Sequence, residues 1–71
     1  MDNPQTPSKP ITNIQVQLTG QDGNAFYILA KVSKALKGGG HKELADEFMK
    51  EATQGDYDHL LATCMKYVDV L

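Results

Sequence analysis

The chain has 71 residues, 41% of them hydrophobic and 23% charged, with a formal net charge of −2 from seven Lys and nine acidic residues. That is one domain at most, since a core of this size supplies roughly 3–5 kcal/mol of net stability, and the average composition excludes a wholly disordered tail. An acidic balance with no Arg weighs against a phosphate-tracking surface, which draws on a strongly basic face and on bidentate Arg contacts.

The single Cys64 has no intramolecular partner, whereas a small secreted domain normally carries several bridges to compensate for a thin core. A reducing, cytoplasmic setting is therefore expected. The N-terminal stretch lacks the basic and apolar regions of a signal peptide, and no apolar run approaches the roughly 20 residues needed to cross a bilayer. The expectation is a soluble protein with no membrane association.

Residues 1–12 hold all three prolines, Pro4, Pro7 and Pro10, among Ser, Thr, Asn and Gln, with almost nothing apolar before Ile11. They read as a flexible arm ahead of a single domain over residues 13–71. The Pro-x-x-Pro spacing lacks the basic and aromatic flanks of a polyproline ligand.

From Ile14 the pattern alternates, with Ile14, Val16 and Leu18 on one face and Gln15, Gln17 and Thr19 on the other, which predicts a half-buried strand. Gly20-Gln21-Asp22-Gly23-Asn24 follows as a turn whose Asp and Asn are both good helix N-caps. Residues 25–37 are expected to form an amphipathic helix with Phe26, Leu29, Val32 and Leu36 on one face, Ile28 and Ala35 beside them, and Tyr27, Lys31 and Lys34 on another. Gly38-Gly39-Gly40 stops it.

A second helix opens at His41 or Lys42 and runs to Thr53, with Leu44, Ala45, Phe48, Met49 and Ala52 as its apolar stripe. Gly55 ends that pattern, and Asp56 caps a third helix whose buried side is Tyr57, Leu60, Leu61, Cys64 and Val68. Residues 67–71 are β-branched and aromatic enough to leave the helix as a short strand. The fold class is α+β: one short strand followed by three amphipathic helices (βααα), with that C-terminal strand as its pairing candidate. The expected core combines Ile14, Val16, Leu18, Phe26, Leu29, Val32, Leu36, Leu44, Phe48, Leu60, Leu61 and Cys64.

The segments Gln21-Asp22-Gly23-Asn24-Ala25-Phe26, Glu51-Ala52-Thr53 and Gly55-Asp56-Tyr57-Asp58-His59-Leu60-Leu61, with the terminal aromatic-Val-Asp-Val, resemble a family of small bacterial and phage-associated proteins of unknown function. The resemblance covers roughly residues 14–70. It implies no activity, ligand or partner.

Three clusters carry chemistry-bearing side chains. Asp22, Gly23 and Asn24 join a strand to a helix, where N–H groups and the helix dipole can hold an anion, although the same residues serve equally as a turn and cap. Asp56, Tyr57, Asp58 and His59 bring two carboxylates, a phenol and an imidazole into one helical turn, but a first turn points them apart, so capping competes with metal ligation. Lys31, Lys34 and Lys37 step by three along the first helix beside Tyr27, a surface either merely solvated or able to meet an acidic partner or a stacked base. Cys64 lies on an apolar face and His59, five residues earlier, is about 500° around the helix, so no nucleophile–base pair forms.

No catalytic residue, metal site or cofactor is expected. The leading expectation is a small non-enzymatic binding or regulatory module acting through a protein partner. The alternative is nucleic-acid binding through the lysine stripe, and the third is metal or small-ligand binding at the start of the third helix. A lone strand with uncharged outer residues Gln15, Gln17 and Thr19 also predicts edge pairing, with a second copy or a partner.

Overall fold

Side-chain caps fix where the first and third helices start, and a computed structural model, which describes residues 10–18 and 23–71, shows the elements β1 (Gln15–Val16), α1 (Ala25–Gly38), α2 (Lys42–Ala52), α3 (Tyr57–Tyr67) and β2 (Asp69–Val70). Asn24 is extended and its Oδ1 accepts from the N–H groups of Phe26 at 2.8 Å and Tyr27 at 3.4 Å, satisfying two donors that the first turn of α1 leaves open. At the other end Gly40 adopts φ 86°, a left-handed conformation cheap only for glycine, and His41 N–H turns back to the Leu36 carbonyl at 2.8 Å. Thr53 closes α2 through its hydroxyl, which donates to Met49 O at 2.7 Å. Asp56 opens α3, accepting from His59 N–H at 2.9 Å, and Val68 ends it in extended backbone.

β1 and β2 pair in parallel, Gln15 opposite Asp69 and Val16 opposite Val70. The backbone ladder continues beyond the two strands: Thr12 N–H donates to Tyr67 O at 3.2 Å, Asp69 N–H to Ile14 O at 2.8 Å, Leu71 N–H to Val16 O at 2.9 Å and Leu18 N–H to Leu71 O at 3.3 Å. The strands are thus shorter than the alternation suggested. Tyr67, expected to begin the C-terminal strand, is the last residue of α3, and Thr19 lies outside the described residues. Ile11 and Thr12, assigned to the arm from sequence, are bonded to the end of α3: Ile11 N–H donates to Lys66 O, and the buried Thr12 hydroxyl to Tyr67 O at 2.7 Å.

α1 packs against β1 and α3 against β2, while α2 packs on α1 and α3. Ile28, Val32 and Leu36 form the buried stripe of α1, Ala45, Phe48 and Ala52 that of α2, and Leu60, Cys64 and Tyr67 that of α3, with Val16 and Val68 closing the core. At its centre Phe48 meets Tyr67 edge to face, with centroids 5.6 Å apart and planes at 72°.

The core expectation needs correction at Phe26, which is 82% exposed. The stripe is set by Ile28, Val32 and Leu36, and Phe26 sits about 200° around the helix from Ile28, past the seam with the neighbouring helices. Tyr57 and Met49, also expected inward, are exposed, while Ile14, Leu18, Leu29, Leu44 and Leu61 are partly buried at the core margin. Among the described residues no helix is long and apolar enough to cross a membrane.

Candidate functional site

At the described end of the turn before α1, Gly23 and Asn24, the polar groups are engaged in the fold. Asn24 already occupies the N–H groups of Phe26 and Tyr27, and the Tyr57 hydroxyl donates to Gly23 O at 2.7 Å, tying the start of α3 to this turn. Asp22 lies outside the described residues.

The start of α3 is a brace. The Asp56 carboxylate caps the helix through His59 N–H, and the His59 ring turns back toward α2, with Nε2 2.8 Å from Glu51 O. A carbonyl only accepts, so Nε2 carries the proton. His59 O in turn accepts from the buried Thr63 hydroxyl at 2.7 Å. The Glu51 carboxylate joins α2 to the end of α3: Lys66 Nζ reaches Oε2 at 2.8 Å and the Tyr67 hydroxyl donates to Oε1 at 3.0 Å. The Lys66 hydrogen bond holds the Glu51 carboxyl below the usual carboxylate range. Burial, and then the Glu51 acceptor, push the Tyr67 phenol up to about 12.

Asp56, Asp58 and His59 therefore do not assemble as ligands. The first and third hold the backbone together, Asp58 is exposed in the first turn where its charge complements the helix dipole, and no group of three His, Cys, Asp or Glu suited to a metal occurs among the described residues. Cys64 is buried, and desolvation pushes its thiol up to about 11, away from nucleophilic use. Sequence reasoning missed the Glu51–Lys66–Tyr67 network and Thr12, because their partners are distant in the chain.

The lysine stripe is divided. Lys31 Nζ donates to Gln17 O at 2.7 Å and stands 5.7 Å from the Tyr27 ring centroid, so its charge sits at the outer edge of β1. Lys34 and Lys37 are exposed. Tyr27, Ala30, Lys31 and Lys34 line an open trough of about 410 Å³.

Apolar side chains complete the surface. A shallow groove of about 290 Å³ runs past Leu18, Ile28, Tyr57, Leu61, Met65 and Val70. Tyr57 is 44% exposed and Met65 59%, and Phe26 stands out from the first turn of α1. Comparison with known protein families, with curated proteins and with solved structures finds no match to this chain.

Proposed function

We propose that this chain is a small non-enzymatic binding module that acts through a protein partner in a reducing compartment. The observation that carries the reading is the division of labour among side chains. Asn24, Asp56, Tyr57, His59 and Glu51, the groups with the most chemistry to offer, are engaged in capping and bracing, while Phe26 and Met65 stand largely in solvent. A largely exposed aromatic ring, and a groove lined by Leu18, Ile28, Tyr57, Leu61, Met65 and Val70, are apolar surface of the kind that meets another macromolecule.

Lys31 and Tyr27 keep nucleic acid as the competing reading, but one of the three lysines in that stripe is already committed to Gln17. Affinity capture with the full chain against Phe26→Asp and Met65→Asp separates the two. The proposal expects a nuclease-resistant protein complex with the wild-type chain that Phe26→Asp disrupts, with or without a further loss from Met65→Asp. Retention of nucleic acid alone, or no partner above background, contradicts it.

A further inference from the structure

In the parallel ladder, Ile14, Val16 and Leu18 turn their backbone groups toward β2. Asn13 and Gln15 therefore aim their N–H and C=O groups at the opposite edge. Neither has a hydrogen-bond partner among the described residues, and both are exposed and uncharged. An open, uncharged strand edge is a template for an incoming extended chain.

The same edge carries a positive charge at its C-terminal end. Gln17 O points the same way as Gln15 O, and Lys31 Nζ reaches it at 2.7 Å. Helix α1 runs antiparallel past β1, with Lys31 at Gln17 and Gly39 against Ile14, where a Cβ on Gly39 would come within 2.6 Å of Ile14 Cδ1. A strand added beside Gln15 would therefore lie along the flank of α1 that presents Tyr27, Lys31 and Lys34. Its side chains alternate, so every second residue faces those lysines.

That charge selects the occupant. A second copy pairing through its own β1 would bring its Lys31 and Lys34 to the same seam, a like-charge juxtaposition that disfavours self-pairing. An extended segment with Asp or Glu at alternate positions meets the lysines with opposite charge and the Asn13–Gln15 edge with its backbone. We propose that the outer edge of β1 and the Lys31–Lys34 flank of α1 together form a strand-addition site for an acidic extended segment of a partner protein. This rests on the protein-partner reading and names the chemistry of the segment bound.

The test is a titration of the ¹⁵N-labelled full chain with a blocked hexapeptide alternating Glu and Thr, beside one alternating Lys and Thr. With the Glu peptide the Gln15 amide should shift and gain protection from hydrogen exchange, the Lys31 and Lys34 ammonium signals should move with it, and the affinity should fall as salt is raised. Gln15→Pro removes an outward donor without touching the ladder to β2 and should abolish binding. Lys34→Glu, a surface change that leaves the fold intact, should weaken it on the order of tenfold. An unmoved Gln15 amide at millimolar Glu peptide, equal binding of the Lys peptide, or a dimer through β1 in sedimentation each overturns the site. A partner captured equally by wild type, Gln15→Pro and Lys34→Glu overturns this site and leaves the partner reading standing. Peptide binding at Gln15 with no captured protein does the reverse.

Discussion

Phe48 is the largest fully buried side chain among the described residues, and its removal gives the most demanding test of the packing. The ring is 0% exposed and meets Tyr67 edge to face at 5.6 Å. Phe48→Ala removes a fully buried ring and leaves a cavity, a change that costs roughly 3–5 kcal/mol, including about 0.5–1.5 kcal/mol for the aromatic pair. A domain of this length has about the same total to lose, roughly 3–5 kcal/mol, so much of the population should be unfolded at 25 °C. Phe48→Leu keeps most of the volume and should lose under about 1.5 kcal/mol, giving a measurable folded variant. Phe26→Ala, by contrast, should stay within about 0.5 kcal/mol of wild type. Urea denaturation followed by far-ultraviolet circular dichroism ranks the three. Similar losses for Phe48→Ala and Phe26→Ala, or a loss under about 1 kcal/mol for Phe48→Ala, would refute the assignment of the inward face.

The Tyr67 phenol is raised from 10 to about 12 in the folded chain, so its stabilising contribution is complete below pH 10 and is lost as pH climbs from 10 through 12. Tyr67→Phe should therefore show a shallower alkaline decline in stability than wild type, and should lose about 1 kcal/mol at neutral pH with its hydrogen bond to Glu51; identical alkaline slopes would count against this. Gly55→Ala places a Cβ within 2.7 Å of the His59 Cβ and Cγ, displacing the ring from Glu51 O, and a thermal melt should report a loss of roughly 1–3 kcal/mol; an unchanged melt would mean that the brace is dispensable. Thr12→Val keeps the shape of a buried side chain but deletes its bond to Tyr67 O, and should cost about 1–3 kcal/mol in the same measurement, with a neutral effect showing that residue 12 is not anchored.

Much of the fold is legible because its signals are local. Asn24 and Asp56 cap helices through N–H groups no more than three residues away, and α1 ends within the glycine run, at Gly38, just before the left-handed Gly40 turns the chain. What depends on other elements is less legible. Phe26 fits the helical spacing of Leu29, but the positions of α2 and α3 decide that Ile28, on the far side of the helix from Phe26, faces the core. The alternation over residues 14–19 describes side-chain faces, but strand length is set by a partner that supplies two register pairs. Thr12 and Tyr67 are 55 residues apart, and no spacing rule connects them.

The candidate site follows the same division. Residue types at Asp56 and His59 were visible as possible ligands, yet whether a polar side chain is spent on the fold is a tertiary fact: His59 reaches Glu51 O across the gap between α2 and α3. Lys31 was legible as part of a stripe on α1, but its engagement with Gln17 depends on where β1 lies. The outward edge at Asn13 and Gln15, unpaired among the described residues, likewise follows from Ile14, Val16 and Leu18 bonding to the β2 side, which alternation alone leaves open.

The most direct test of the account is to read stability and partner capture together on Phe26→Asp and His59→Ala. Phe26 is 82% exposed, whereas His59 is partly buried and bonded to Glu51 O, so the account predicts opposite outcomes. Phe26→Asp should keep the wild-type melting temperature and lose the captured protein. His59→Ala should melt earlier and still capture it at a temperature where it remains folded. A Phe26→Asp variant that is destabilised, or a folded His59→Ala variant that alone loses the partner, would contradict the assignment of exposed apolar groups to binding and of polar groups to the fold.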